Sequence, residues 1–203
     1  MEGKPKHILK VADTTVLGLC LYPFMLTPIK RLIFATGNNK QALDPAIESL
    51  QDSGYKVINY YQPPEGTEKA IRGVIGGTEI PSDLIIINGD DVYPGFDVID
   101  IYKYHLMLRP KISRVVAQRS NEGSRIVPAN EINIINSSTS LQRYFATGLA
   151  LIDRQYLQET RSGILPGDVA SVEYLTKRIV NVNTPQDLVL LSRGLNLLKK
   201  LFQ

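Results

Sequence analysis

One segment constrains the fold of this 203-residue chain more than any other: the apolar run at residues 84–87, which stops abruptly at Asn88, Gly89, Asp90 and Asp91. A buried strand that ends in this way delivers a carboxylate to one edge of a parallel sheet, and open α/β sheets bind ligands at that edge. An aspartate held there can bind Mg²⁺, which neutralises phosphate charge. Because Asn, Gly and Asp also favour turns, an ordinary turn is the alternative interpretation.

Strand and helix signals alternate along the rest of the chain. Strands are predicted at residues 31–36, 56–61, 83–88, 111–118, 132–135, 145–152 and 178–182, and helices at 45–51, 67–74, 98–108, 168–175 and 184–201. The last helix has Asn183 or Thr184 as its N-cap and Pro185 in its first turn. Strands separated by helices indicate βαβ units. We therefore expect an α/β fold with a mainly parallel sheet in a single domain.

Composition excludes several classes of protein. Hydrophobic residues make up 43% of the chain, which argues against disorder. The net charge is only +3 and the basic residues are dispersed, so nothing indicates a nucleic-acid partner. The longest apolar stretch, residues 16–26, is interrupted by Gly18 and Pro23 and is too short for a membrane span. A single cysteine, Cys20, and no signal-peptide pattern predict the cytoplasm. Two histidines without a cysteine–histidine cluster argue against a zinc site.

Four segments carry a family resemblance by their order and spacing. They are residues 4–11 with Lys6 after a proline, residues 62–70 with a Gln…Gly-Thr pattern, residues 88–90, and residues 180–188. Together they resemble the nucleotidyltransferase superfamily that activates sugar phosphates with an NTP, over residues 4 to about 195. The resemblance implies a Rossmann-like three-layer sandwich with a mainly parallel mixed sheet, of the nucleotide-diphospho-sugar transferase type.

The resemblance also implies a metal site and a catalytic lysine. Asp90 would hold Mg²⁺ at the α-phosphate, and Asn181 or Asn183 would complete the site. Lys6 would neutralise phosphate charge in the transition state. The simpler alternatives are that Lys6 is a surface lysine and that one of the asparagines caps the final helix. Asp91 is expected to be a solvated turn residue rather than a spare carboxylate near the metal.

Other residues are implied in nucleotide binding. Gln62, Gly66 and Thr67 would contact the base and ribose, and Gly89 lies in the segment that carries the metal ligand. The alternative for residues 62–67 is a proline-rich turn followed by a threonine N-cap. Both interpretations are compatible, since a helix N-terminus itself binds anions.

The acceptor side of the site is less defined. Gly148 fits a strand whose glycine approaches the acceptor, and Arg143 lies close enough in sequence to meet a phosphate, although an exposed arginine needs no such role. The acceptor could be a sugar 1-phosphate, a polyol or inositol phosphate, or a pterin-type phosphate. The implied partners are an NTP and this phosphorylated small molecule, and homo-oligomerisation stays open.

The implied reaction transfers a nucleoside monophosphate from the NTP to the acceptor phosphate and releases pyrophosphate. Two alternatives stay open: a non-catalytic nucleotide- or sugar-nucleotide-binding relative, and a glycosyltransferase of related fold in which Asp90 and Asp91 together hold the metal. The glycosyltransferase usually requires an Asp-x-Asp pair, which residues 90–92 do not supply.

One expected element is not found in the sequence. Family members usually begin with a strand and a glycine-rich loop that wraps the triphosphate with backbone N–H groups. The interval 1–203 is therefore expected to be a nucleotidyltransferase domain without its first strand and phosphate loop. Two explanations stay open: Met1 is an internal methionine of a longer protein, or the chain is a degenerate relative that binds without catalysing.

Overall fold

A computed structural model describes residues 5–38, 40–61, 63, 66–94, 96–118, 144–159, 171–175 and 180–201. A 3₁₀ turn covers Lys6–Ile8. The helices are α1 (Val16–Met25), α2 (Lys40–Asp52), α3 (Thr67–Gly77), α4 (Val98–Leu108), α5 (Arg154–Glu159) and α6 (Pro185–Leu201). The strands are β1 (Lys10–Val11), β2 (Thr14–Thr15), β3 (Arg31–Thr36), β4 (Lys56–Tyr61), β5 (Leu84–Ile86), β6 (Asp91–Val92), β7 (Ile112–Gln118), β8 (Tyr144–Ile152), β9 (Ser171–Leu175) and β10 (Val180–Asn181).

The strands form four separate sheets in the described part of the chain. β3 and β4 pair in parallel, with α2 as the crossover between them. The largest sheet has the order β5-β8-β7-β9, in which β8 runs antiparallel to both of its neighbours and β9 runs parallel to β7. β1–β2 and β10–β6 are short antiparallel pairs. The α/β class is confirmed, but the expected mainly parallel arrangement receives little support, because only two of these pairings are parallel.

Alternate side chains of the largest sheet pack against helices on its two faces. Leu149 and Leu151 of β8 lie in one apolar cluster with residues of α4, whereas Ala150 and Ile152 lie in another with residues of α3 and α5. Successive residues of a strand point to opposite faces, so β8 supplies apolar side chains to both layers of helices. This arrangement is the three-layer sandwich that the sequence predicted.

Helix α1 links three apolar clusters. Leu17 and Leu21 pack with residues of α2, β3 and β4, while Phe24 packs with residues of β7 and β8. Cys20 lies in a third cluster with residues of β6 and α6. α1 therefore packs apolar side chains against several elements, while Tyr22 and Met25 remain exposed. Among the described residues, no helix is long and apolar enough to cross a membrane.

Predicted and observed elements agree closely where periodicity is strong. The predictions for β3, β4 and α4 have the observed bounds. The helix predicted at residues 168–175 is wrong, because Ser171–Leu175 is strand β9, which pairs along the edge of β7. A five-residue segment is too short for its pattern to separate helix from strand, and tertiary pairing decides. The predicted strand at 132–135 lies outside the described residues.

Candidate active site

The turn between β5 and β6 presents Asp90 beside the segment that precedes α6. β10 pairs antiparallel with β6, so that Asn181 lies opposite Asp91 and Val180 opposite Val92. The ladder continues where the Val182 N–H donates to the Asp90 carbonyl at 2.9 Å. Two segments about 90 residues apart in sequence are thereby fixed side by side.

Lys6 joins these two segments through its ammonium group. Its Nζ donates to Asp90 Oδ2 at 3.1 Å and to Asn183 Oδ1 at 2.5 Å. The two acceptor oxygens can therefore be no further apart than the sum of these distances. We call these residues the Lys6–Asp90–Asn183 cluster. It unites members of three of the four segments that carried the family resemblance, and its side chains are partly accessible, with 38% of the Lys6 side chain and 22% of the Asp90 side chain exposed.

Asp91 has a different environment from Asp90. It is only 3% exposed, and its Oδ2 accepts hydrogen bonds from the Gly148 N–H and from Asn88 Nδ2, both at 3.1 Å. The expectation that Asp91 is a solvated turn residue is wrong, because β8 packs over the turn and supplies a backbone donor. The donors compensate for the loss of water around the buried carboxylate. An Asp90–Asp91 metal pair, on which the glycosyltransferase alternative depends, finds no support in this arrangement.

Two glycines of the site are required by close packing within the chain. A Cβ at Gly148 would overlap the side-chain amide of Asn88 and lie 2.5 Å from Asp91 Oδ2. A Cβ at Gly89 would lie 2.7 Å from His7 Cδ2. These contacts explain both glycines without a ligand, so their roles in acceptor and nucleotide binding stay predictions.

Two side chains lie against Gly89, the half-buried His7 and the buried Cys20, and burial favours the neutral form of each. Burial lowers the pKa of His7; the nearby Lys6 ammonium acts in the same direction, whereas Asp90 opposes the shift. Burial also raises the pKa of the Cys20 thiol, with a smaller contribution from the charge of Asp91. The thiol donates to the Gly89 carbonyl at an S···O distance of 3.2 Å. Cys20 is therefore the inert buried residue that its sequence context indicated.

A capping box at the start of α6 positions Asn183. Asp187 Oδ2 accepts from the backbone N–H groups of Asn183 and Thr184 at 2.9 and 2.7 Å, and the Asp187 N–H reaches Thr184 Oγ1 at 3.3 Å. Thr184 is thus the N-cap, and the side-chain oxygen of Asn183 accepts a hydrogen bond from Lys6 Nζ. Sequence reasoning missed Asp187, although the Thr-x-x-Asp spacing resembles the known capping-box pattern.

Most of the remaining predicted site residues cannot be related to this cluster. Gln62 and Arg143 lie outside the described residues, as do the side chains of Asn181 and Thr67. Gly66 is the N-cap of α3 and has a positive φ of 98°, a conformation that favours glycine. Within the described chain, no hydrogen bond joins Gly66 to the Lys6–Asp90–Asn183 cluster.

Comparison with known proteins gives a result at the level of the fold. No family model matches this sequence, and no curated protein is significantly similar to it.

Solved structures do match. The crystal structure of HddC from Yersinia pseudotuberculosis superposes with a TM-score of 0.70 at 13% identity, covering 95% of this chain and 90% of HddC. The nucleoside-diphosphate-sugar pyrophosphorylase from Vibrio cholerae gives 0.60 at 17% identity, covering 94% and 92%. An apo UDP-glucose pyrophosphorylase gives 0.66 at 13% identity, covering 96% and 91%.

The chain has the fold of the sugar-phosphate nucleotidyltransferases. Coverage of at least 90% on both chains means that the nucleotidyltransferase fold extends over nearly the whole molecule. Within that fold, Asp90 follows β5 at its carboxyl end, which is the position from which α/β sheets present ligand-binding groups. The predicted fold type is therefore confirmed.

Proposed function

We propose that this protein transfers a nucleoside monophosphate from an NTP to a sugar or polyol phosphate, with release of pyrophosphate. The observation that carries the proposal is the convergence of Lys6, Asp90 and Asn183 from three distant segments onto one charge centre. The ligands of the structural neighbours are compatible with it: one HddC structure holds GMP-PN, and one UDP-glucose pyrophosphorylase structure holds UDP-glucose.

The cluster fits a hard divalent cation. The Asp90 carboxylate and the Asn183 amide both direct oxygen atoms at a single cation, here the Lys6 ammonium. Oxygen donors of this kind are the ligands that Mg²⁺ prefers. In the proposal, Asp90 and Asn183 hold Mg²⁺, which would supply charge neutralisation at the phosphate. Lys6 then moves its ammonium from these oxygens to the phosphate groups of the substrate.

The chain's own residues would act mainly by positioning and by charge. The attacking acceptor phosphate is already anionic near pH 7, so no strong general base is required. The Lys6 ammonium stabilises negative charge that develops as pyrophosphate leaves, and Asp90 orients that ammonium before substrate binds. Catalysis of this type depends on preorganised charge rather than on a covalent intermediate.

A pyrophosphate-release assay with matched variants tests the proposal. Asp90→Asn and Lys6→Met should each lower turnover by about 10²-fold or more, because each removes charge from the site. Asp100→Asn is the matched control, since Asp100 lies on α4 in a surface pair with Lys103 at 3.9 Å. This control should keep wild-type turnover, and all three variants should keep the wild-type melting temperature. Unchanged turnover in Asp90→Asn would contradict the proposal.

A second candidate is nucleotide or sugar-nucleotide binding without catalysis. One observation favours it: Asp91 is committed to Gly148 and Asn88, so in the described part of the chain only one carboxylate, that of Asp90, faces the cluster's cation. A site with a single carboxylate holds Mg²⁺ weakly unless substrate phosphates contribute ligands. Calorimetric binding of NTP without pyrophosphate release, across a panel of phosphorylated acceptors, would favour this second candidate.

We also propose that a further strand and a phosphate-binding loop complete the domain. Support comes from the sheets: in the described part of the chain, β3 pairs only with β4, and β5 pairs only with β8. Unpaired strand edges inside a sandwich are unfavourable, and one added strand could pair with both. A version of the chain extended by such a strand and a glycine-rich loop should release pyrophosphate faster than residues 1–203. Equal rates would argue against this addition.

A further inference from the structure

A second polar cluster lies at the opposite end of β5 from Asp90. Asp83 directly precedes β5, Asp153 directly follows β8, and His105 belongs to the last turn of α4. A ring nitrogen of His105 and one oxygen of each carboxylate all lie within 4.8 Å of one another. We call these three residues the His105 cluster.

Strand pairing holds the two aspartates together. Leu84 of β5 lies opposite Ile152 of β8, so the residues on either side of this pair, Asp83 and Asp153, meet at the same sheet edge. His105 reaches that edge from α4, which packs on the sheet face through Val98 and other apolar residues. The cluster therefore rests on rigid elements rather than on a loop.

Each carboxylate is oriented by one of its two oxygens. Asp83 Oδ1 accepts from the Arg154 N–H at 3.0 Å, and Asp153 Oδ1 accepts from the Tyr156 N–H at 3.0 Å, where it caps α5. Among the described residues, the second oxygen of each carboxylate has no hydrogen-bond donor. Both aspartates are partly exposed, so an ion from solvent can reach them.

The histidine is the decisive member of the cluster. His105 is 0% exposed, its Nδ1 lies 2.9 Å from Ser113 Oγ, and its Nε2 has no hydrogen-bond partner in the described part of the chain. If Nδ1–H donates to the Ser113 hydroxyl, Nε2 carries a lone pair. A hydrogen bond made by the ring nitrogen that faces away from the ion is how proteins fix the tautomer of a metal-binding histidine.

We propose that Asp83, His105 and Asp153 bind a divalent transition-metal ion of the Zn²⁺ type. One imidazole nitrogen and two carboxylate oxygens form a mixed set that zinc accepts at distances of about 2.0–2.2 Å, with water in the fourth position. Modest side-chain rotations would bring the three ligand atoms to these distances. The ion would also compensate the two adjacent carboxylates and give the buried Nε2 a partner.

The proposed ion would be separate from the Lys6–Asp90–Asn183 cluster. It would tie the end of α4 to the edge where β5 and β8 end, and so link a helix layer to the sheet. The three ligands are far apart in sequence, which is why no zinc-ligand spacing is visible in the chain. Magnesium, which prefers oxygen ligands throughout, should bind this site much more weakly than zinc.

Titration calorimetry with Zn²⁺ tests the site, with Asp83→Asn and Asp153→Asn as the informative variants. Asparagine keeps an oxygen that can accept from Arg154 or Tyr156, so the local fold should persist while the metal-binding charge is lost. Wild-type protein should bind one Zn²⁺ at this site, and each variant should lose Zn²⁺ affinity by at least about tenfold. A loss of about that size is typical when only a hydrogen-bond partner of a metal ligand is removed. Asp90→Asn is the control and should bind Zn²⁺ at this site as wild type does.

A second measurement reads the histidine directly. The chain has two histidines, so ring-nitrogen NMR spectra contain two sets of signals. Addition of Zn²⁺ should shift the Nε2 signal of His105 in wild type and in Asp90→Asn, but not in Asp153→Asn. Binding that persists undiminished in both aspartate variants, or a His105 signal unmoved by Zn²⁺, would overturn the proposal.

Discussion

At the scale of single residues, the adjacent aspartates Asp90 and Asp91 differ in burial and in hydrogen-bond partners. Asp90 stays partly accessible and contacts the Lys6 ammonium, whereas Asp91 is buried and holds the Gly148 N–H of β8. The first carboxylate stays partly accessible to solvent, and the second fixes the turn that presents it. Asp90 lies in the turn before β6 and Asp91 is the first residue of β6, so the two neighbouring carboxylates have different surroundings.

The contact between Gly148 and that turn predicts a large effect of a single methyl group. Gly148→Ala should destabilise the protein by about 1–3 kcal/mol, because the new Cβ would force Asn88 and Asp91 apart. The measurement is chemical denaturation of the variant and of wild type.

Gly194→Ala is the matched control for this substitution. Gly194 lies within α6, and a Cβ there would meet no atom within 4 Å. Alanine should therefore stabilise the helix by about 0.5–1 kcal/mol. Equal effects of the two substitutions would show that the close packing around Gly148 is not a constraint.

At the scale of elements, the N-terminus of α6 links helix stability to the site. Thr184→Ala removes the capping hydroxyl and should cost about 1 kcal/mol in the free energy of unfolding. It should also weaken nucleotide binding, since Asn183 immediately precedes the cap and contacts Lys6.

Thr184→Ser is the control because serine keeps the hydroxyl group. It should stay close to wild type in denaturation and in calorimetric titration with NTP. If Thr184→Ser lost as much nucleotide binding as Thr184→Ala, the loss would not be due to the missing capping hydroxyl.

Elements with strong periodicity could be predicted from sequence, while those decided by tertiary contacts could not. β4 and α4 were predicted with their observed bounds because each has a sustained apolar pattern. β9 was predicted as a helix, since only its pairing with β7 makes it a strand. In the site, Lys6, Asp90 and Asn183 were visible as motif residues. The burial of Asp91 was not, because it depends on a strand 57 residues further along the chain.

At the scale of the whole molecule, the half-buried His7 predicts a pH dependence of stability. Burial holds the pKa of His7 below its usual value of 6.5 in the folded state. Between the unfolded and folded pKa values, unfolding takes up a proton, so the free energy of unfolding should fall as pH drops below about 6.5. His7→Gln should show a shallower fall in denaturation curves recorded from pH 7 to pH 5. An identical slope in the variant would mean that His7 does not titrate on unfolding.

The separation of β3–β4 from the larger sheet has a consequence for how the molecule opens. Residues 31–61 form a contiguous βαβ unit, whereas β7 and β8 are each flanked by two partners. Local opening tends to follow such contiguous units. In native-state hydrogen exchange, the amides of β3 and β4 should therefore exchange through a lower-energy opening than those of β7 and β8. Equal protection of all four strands would indicate one cooperative unit. Lower protection of β3 and β4 would mean that the β3–β4 unit can open while the strands behind Asp90 and Gly148 stay closed.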